Sequence, residues 1–218
     1  MAVKVFTFKQ KSYVMKSVQI SGWLIAFLFV CLNIQPASAQ SDITWLGLDF
    51  SQAKFIGPAS QFKDAGEISN DDFRDKYTVS WNQLFIDEQK KFNVAEMVHR
   101  PQVTYALDVT AKANGRIKKE FFGANPNDFK TLDEKKIGDL VSHYDFQGKT
   151  GNGVLFFVEG MSKGLQEAGA WVTLVDMKSK KVLQTTYKTG KAGGFGFRNY
   201  WAKSWANILK EAKSDFKK

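Results

Sequence analysis

The chain has 218 residues, of which 44% are hydrophobic and 24% are charged, a balance that excludes wholesale disorder and suits one folded domain. Its formal net charge is +9. Setting aside the four lysines of the first 39 residues leaves 27 basic and 22 acidic residues, a net charge of +5. Because this surplus is mild and spread along the chain, no nucleic-acid partner is expected.

The first 39 residues follow the pattern of a secretory signal peptide. Lysines open the segment without any acidic residue, and the charge-free apolar stretch WLIAFLFVCL follows at residues 23–32. The tripeptide at 37–39, Ala-Ser-Ala, then has the small side chains that a signal peptidase requires. We expect cleavage after Ala39, which divides the chain into a signal peptide at 1–39 and a single domain at 40–218.

Export and removal of the leader determine where the mature protein acts and whether it contains a cysteine. The periplasm or the extracellular space is expected, whether translation begins at Met1 or at Met15, and the mature chain is expected to have no membrane-spanning segment. A retained membrane anchor is the alternative, but 23–32 is shorter than the ~20 residues that a spanning helix needs. Because Cys31 is the single cysteine and lies in the leader, disulfides, thiol catalysis and cysteine-ligated metals are excluded from the mature chain.

The first half of the mature chain is predicted to form a strand, a helix and a second strand. ITWLGLDF at 43–50 has no strongly polar face, which predicts a strand covered on both sides. Ser69 precedes acidic residues and a helical apolar stripe, and this pattern predicts a capped helix that ends near Lys90. Alternation between 103 and 111 favours a half-buried strand with a tight turn at 114–115, although the same letters partly fit a helix.

The second half is predicted to form a helix, three strands and a final helix. A capping box at Thr131–Glu134 opens the short helix, and the apolar run GVLFFVEG at 153–160 indicates a buried central strand. AWVTLVDM and KVLQTTYKT form a hairpin joined by KSKK, and an amphipathic helix extends from about 197 to 216. The predicted fold is a single α+β domain, in which two or three amphipathic helices cover a mixed or antiparallel sheet.

Motifs that carry catalytic chemistry are incomplete in this sequence. GMSKG at 160–164 matches the G-x-S-x-G pattern of serine hydrolases, but the next strand follows too soon for the required helix, and His99 and His143 both precede the serine. A hairpin turn is therefore predicted there. Two histidines cannot complete a metal shell, so neither a metal nor a cofactor is expected. Glu159 is the one carboxylate that we consider for acid–base chemistry, since it follows an apolar run where burial would raise its pKa.

The segment GKAGGFGFRNYWAKSW at 190–205 concentrates glycines, aromatic rings and cations. It is not a phosphate-binding P-loop, because Ala192 follows Lys191 where a Ser or Thr would hold magnesium. An apolar stripe at helical spacing runs through the segment and predicts core packing for Trp201 and Trp205. The other aromatic and cationic side chains are the candidate binding residues: Phe195, Arg198, Tyr200 and Lys191.

Three segments carry a resemblance to known proteins. GKAGGFGFRNYW, together with WVTLVDMKSKKVL and GVLFFVEGMSKG upstream, resembles a family of small secreted proteins of unknown function from Bacteroidetes-type bacteria. The likeness covers most of the mature chain, from about Trp45 onwards. The order of elements also looks like the TolB N-terminal type of envelope α/β domain, which implies a fold only. Neither resemblance brings catalytic residues.

These patterns favour a non-catalytic binding or assembly module of the bacterial envelope. Its expected partner is an envelope protein or a glycan, held by an exposed surface. The alternative is a carboxylate-dependent hydrolase of an envelope polymer, in which Glu159 would act with a second acid that the sequence does not identify. An enzyme is the less favoured of the two, because no complete catalytic set of residues is present.

Overall fold

The computed structural model describes residues 42–57 and 68–216, which all belong to one compact unit, Ser41–Lys218. The predicted signal peptide lies outside the described residues. The strands are β1 (Ile43–Asp49), β2 (Lys54–Ile56), β3 (Thr104–Tyr105), β4 (Phe122–Gly123), β5 (Asn152–Ser162), β6 (Glu167–Asp176) and β7 (Lys181–Lys191). The helices are α1 (70–87), α2 (Val94–Met97), α3 (Asp108–Asn114), α4 (Glu134–Ser142) and α5 (Phe197–Ala212), with 3₁₀ turns at Pro126–Phe129 and Lys213–Phe216.

Helices α1 and α4 both begin at capping residues. The predicted cap of α1, Ser69, forms a capping box with Asp72, since each side chain accepts a hydrogen bond from the backbone N–H of the other, at 3.0 and 3.2 Å. Within α1 a π-helical stretch, Phe73–Tyr77, separates two α-helical parts. Helix α4 begins two residues later than the capping box predicted at 131, because Asp133 is its N-cap and accepts from the Lys136 N–H at 2.8 Å.

Strand β5 is the centre of the sheet. Along one edge it pairs in parallel first with β1 and then with β2, and β3 and β4 pair in parallel with the outer edges of those two strands. Along its other edge β5 pairs antiparallel with β6, which pairs antiparallel with β7. The buried central strand and the carboxy-terminal hairpin predicted from the sequence are therefore confirmed.

The fold class predicted from the sequence was wrong. The parallel strands form a sheet curled into a half-barrel with helices, so the class is α/β rather than α+β with a mixed or antiparallel sheet, and the antiparallel pairs of β6 with β5 and β7 are confined to one side of β5. The physical reason is the pairing of β1 with β5, whose first registered residues are Ile43 and Asn152. Parallel neighbours need a long crossover connection, and here the whole segment containing α1 to α4 supplies it.

Both faces of the sheet are covered by helices, as the apolar pattern of the first strand predicts. On one face α1, α2 and α5 close the larger core, where Trp45 and Trp81 are fully buried. Trp201 and Trp205 of α5 lie in the same core with no exposed surface, so their predicted packing role is confirmed. On the other face α3 and α4 close a smaller core around Leu46 and its apolar neighbours.

The outer edge of β1 is closed by side chains beyond the two residues that pair with β3. The Thr110 hydroxyl donates to the Leu46 carbonyl at 2.6 Å. Asn82 accepts from the Leu48 N–H at 2.7 Å and donates to the Leu48 carbonyl at 3.0 Å, and Asn114 donates to the same carbonyl at 3.0 Å. Because these side chains are buried, they replace the hydrogen bonds that a neighbouring strand would supply.

The strand predicted over 103–111 is a second error. Only Thr104–Tyr105 pairs as a strand, and α3 begins at Asp108. The alternating letters were ambiguous, and the helix forms because it places Thr110 and Asn114 against the backbone of β1. The predicted tight turn at 114–115 is instead the carboxyl end of that helix.

Candidate functional site

The structure brings two of the four predicted binding residues together. Phe195 is 88% exposed, the highest value among the exposed large hydrophobic side chains, and it lines a hollow of about 350 Å³ with Arg198, Lys76 and Tyr77. Positive φ angles at Gly194 and Gly196 turn the chain between β7 and α5, as the glycine-rich sequence predicts.

Tyr200 and Lys191 occupy other surroundings. The Tyr200 ring packs edge-on against Trp201, with 5.2 Å between ring centroids, and the Lys163 ammonium lies 4.1 Å from its centroid. The Lys191 ammonium lies 3.6 Å from a Glu167 carboxylate oxygen and lines a separate hollow beside β7. The four predicted residues are therefore spread over neighbouring surfaces and do not line a common hollow.

Glu159 is a buried carboxylate with three N–H donors around it. Its Oε1 atom accepts from the backbone N–H groups of Thr131 and Leu132, the latter at 2.6 Å, and its Oε2 atom accepts from the Trp171 indole at 2.9 Å. Only 1% of the residue is exposed. These contacts attach the segment before α4 to strands β5 and β6.

Ser162 and the two histidines are held in separate local structures. The Ser162 hydroxyl oxygen accepts from the Leu165 N–H at 3.2 Å, so it stabilises the turn between β5 and β6. The His99 ring bonds the Lys213 carbonyl at 2.9 Å, and the His143 Nδ1 atom lies 2.9 Å from the Asp139 carbonyl. None of the hydrogen bonds described for Ser162 goes to a histidine, and the described serine–histidine contact is instead that of Ser142 Oγ with His143 Nδ1, at 2.9 Å, between neighbours at the end of α4.

A cavity of about 580 Å³ lies between α3 and α4, and we call it the α3–α4 cavity. Small-ligand sites in proteins commonly measure about 300–1,000 Å³. The cavity is lined by residues spaced three and four apart on each helix, because such residues share one helical face. Its lining residues are Gln52, Val109, Lys112, Ala113, Arg116, Leu132, Lys136, Asp139, Leu140, His143, Tyr144 and Asp145.

The position of the α3–α4 cavity agrees with a general rule for α/β folds. Two lining residues show where it lies: Tyr144 hydrogen-bonds Asp49 at the end of β1, and Leu132 hydrogen-bonds Glu159 towards the end of β5. The cavity is therefore beside the carboxyl ends of two parallel strands. In open α/β sheets, ligands bind outside these strand ends. The topology therefore supports the cavity as the candidate functional site.

Tyr144 connects the wall of the cavity to a buried carboxyl group. Its hydroxyl donates to Asp49 at the end of β1, and the other oxygen of Asp49 accepts from the Ser51 N–H at 2.6 Å. Burial raises the pKa of the fully enclosed Asp49 carboxyl above its ordinary range, although both hydrogen bonds act in the opposite direction. Burial and the neighbouring Asp49 also raise the pKa of Tyr144, so the phenol stays protonated as a donor.

Charges at the edge of the cavity are only partly paired with each other. Lys112 and Asp145 form an ion pair of 2.8 Å, and this hydrogen bond, followed by that from the Gln147 N–H, lowers the pKa of Asp145. The Lys136 ammonium donates to the Thr131 carbonyl at 2.8 Å. The His143 Nδ1 atom lies 2.9 Å from both the Asp139 carbonyl oxygen and the Ser142 hydroxyl oxygen.

Comparison of the chain with protein-family models, curated proteins and solved structures finds no match. The resemblances stated above therefore stay predictions, and function is argued from geometry. No helix within 42–57 and 68–216 is long and apolar enough to cross a bilayer. The same residues contain no group of three or more His, Cys, Asp or Glu side chains arranged to hold a metal ion.

Sequence reasoning missed the α3–α4 cavity. Most of its lining comes from two helices that are far apart in sequence, since α3 ends at Asn114 and α4 begins at Glu134. One of them, α3, was predicted as a strand. The spacing of Lys136, Leu140 and His143 on α4 is visible in the sequence as one mixed apolar and basic helical face. That face alone does not identify α3 as its neighbour.

Proposed function

We propose that this protein is an exported, non-catalytic binding module of the bacterial envelope, and that it holds a small ligand in the α3–α4 cavity. The observation that carries the proposal is the cavity itself, because its volume and its place beside parallel strand ends fit a ligand site. Its walls combine apolar side chains with a few polar groups, which is the usual composition of such sites.

A larger partner has a separate place to bind. Phe195 and Arg198 border an open hollow on the surface formed by α1 and the start of α5. We propose this surface for contact with an envelope protein or a glycan, since an exposed ring beside cations can pack on either. Ligand binding and partner binding would then use different surfaces of one module.

The contacts of Glu159 do not support the alternative, a carboxylate-dependent hydrolase. Both carboxylate oxygens accept hydrogen bonds from groups that hold neighbouring segments together. An acid–base catalyst must instead reach the proton that it transfers. The binding proposal is preferred for this reason.

Ligand binding in the cavity is tested with a variant in which a larger side chain fills the cavity. The full chain, expressed with its own leader and recovered under non-denaturing conditions, is examined by native mass spectrometry for a bound small molecule. Leu140→Trp places an indole in the cavity that Leu140 lines and should abolish the bound species.

The matched control is Leu165→Trp, because Leu165 lies on the β5–β6 turn and is 53% exposed. The control protein should retain the bound molecule at the wild-type level. Retention of the molecule by Leu140→Trp, in a protein with an unchanged melting temperature, would place the ligand elsewhere and contradict the proposal.

A further inference from the structure

The lining of the α3–α4 cavity separates into an apolar wall and a cationic edge. Val109 is buried, and Leu132, Leu140 and the Tyr144 ring pack partly exposed against the core that contains it. Each CH₂ group of a ligand that is buried against such a surface contributes ~0.8 kcal/mol to the free energy of binding. The wall therefore favours a ligand with an apolar chain or ring over a free inorganic ion.

The cationic edge has hydrogen-bonding capacity that the protein does not use. Arg116 lines the cavity together with Asp145, and its guanidinium makes no hydrogen bond to any described residue. Lys136 uses one of its three ammonium donors on the Thr131 carbonyl. A guanidinium offers paired donors that match a carboxylate or a phosphate.

The acidic side chains of the lining do not cancel this preference. Asp145 is already bonded to Lys112, at 2.8 Å, and to the Gln147 N–H, at 3.0 Å. Asp139 is exposed, as are Arg116 and Lys136, so water screens these three charges alike, and two cations remain against one carboxylate. A cationic ligand would therefore meet one solvated carboxylate, whereas an anionic ligand meets Arg116 and Lys136.

We infer that the α3–α4 cavity binds an amphiphilic anion, a molecule that carries a carboxylate or a phosphate group on an apolar chain or ring. Arg116 and Lys136 hold the anionic group at the edge, and Leu132 and Leu140 contact the apolar part. This inference depends on the proposed binding function and adds the chemical class of the ligand.

Calorimetry with four probes of equal chain length tests the ligand class. The probes are decanoate, decyl phosphate, decanol and decyltrimethylammonium, each below its micelle concentration, with acetate and inorganic phosphate as chain-free anions. The two anionic amphiphiles should bind at least about tenfold more tightly than the neutral and cationic probes. Acetate and phosphate should bind too weakly to measure, and the comparison of decanoate with decyl phosphate identifies the preferred anionic group.

A pair of variants assigns the anion to Arg116. Arg116→Gln should weaken decanoate and decyl phosphate by about tenfold and leave decanol unchanged, since a charge-assisted hydrogen bond is lost. The matched control is Lys118→Gln, which removes an exposed cation two residues away that does not line the cavity. This control should change the affinity for each probe by less than about twofold.

Three results would overturn the inference, and they differ in what they imply for the proposed function. Equal binding of decanol and decanoate, with no effect of Arg116→Gln, contradicts the anionic class while the cavity remains a ligand site. The same holds if none of the probes binds but Leu140→Trp still removes the molecule that accompanies the wild-type protein. Failure of every probe together with an unaffected Leu140→Trp protein contradicts both proposals.

Discussion

Asp49 is an acid that the fold holds in an unfavourable place for a charge. The side chain is fully buried, and burial raises its pKa even though Ser51 and Tyr144 donate hydrogen bonds to it. The native state therefore binds this proton more tightly than the unfolded chain does. Between the unfolded pKa of ~3.9 and the folded pKa, the free energy of unfolding falls as the pH rises.

Substitution of Asp49 should remove that part of the pH dependence. Asp49→Asn keeps an oxygen to accept from the Ser51 N–H, and the Tyr144 hydroxyl can rotate to accept from the new amide. Relative to wild type, we expect the variant to gain stability as the pH rises from 3 to 8. Urea denaturation at several pH values measures this difference.

The control for this comparison is Asp42→Asn, at an exposed carboxylate just before β1. Its stability relative to wild type should not follow the same rise with pH. A constant difference between Asp49→Asn and wild type over the whole range would show that the buried carboxyl does not titrate as described.

The outer edge of β1, which is bonded by side chains where β3 does not pair with it, requires a glycine at position 47. Gly47 has a φ of +108°, and an added Cβ would lie 2.4 Å from Thr110 Oγ1 and 2.5 Å from Asn82 Oδ1. Both of those atoms hydrogen-bond the backbone of β1. Any side chain at this position would therefore separate α1 and α3 from the strand.

Gly47→Ala should destabilise the protein by at least about 1–3 kcal/mol, since it adds backbone strain and disrupts buried hydrogen bonds. Gly138→Ala is the matched substitution, because Gly138 lies inside α4 with no atom near the new Cβ. That change should stabilise the protein by about 0.5–1 kcal/mol. Chemical denaturation of both variants measures the two effects, and a neutral Gly47→Ala would contradict the described edge.

Local sequence patterns predict most elements of this protein but few of their neighbours. Capping residues and apolar stripes identify α1, α4 and α5, and the apolar run at 153–160 identifies β5. The parallel pairing of β1 with β5 joins residues more than a hundred positions apart, and no local pattern encodes it. Helix α3 escaped prediction because its polar residues face the backbone of β1, so its letters do not form an apolar helical stripe.

For the same reason, the candidate site was harder to predict than the core. Trp201 and Trp205 lie on one stripe of one helix, and their burial follows from that spacing alone. The α3–α4 cavity needs Arg116 and Leu140 to be brought together by the fold. The sequence shows that residues such as Phe195 lie outside the apolar stripe of α5, but it does not predict which of them line the same hollow.

For the protein as a whole, export is the prediction on which the envelope proposal depends. When the full chain is expressed in a bacterium with a general secretion pathway, the exported product should begin at Gln40, because the leader is expected to be cleaved after Ala39. Amino-terminal sequencing of that product measures the cleavage site. Ala39→Phe should block processing, since a signal peptidase accepts only small side chains there, whereas Ala2→Phe should not. An unprocessed cytoplasmic product from the wild-type chain would contradict the assignment.

The side chains that complete β1 also limit how this protein can associate with itself. An open strand edge offers N–H and carbonyl groups to which another polypeptide can add by β-augmentation. Here two carboxamides and one hydroxyl occupy those groups between Leu46 and Leu48. Loss of Asn82 would therefore cost folding stability and also uncover part of this edge, to which a strand of a second copy of the chain can add.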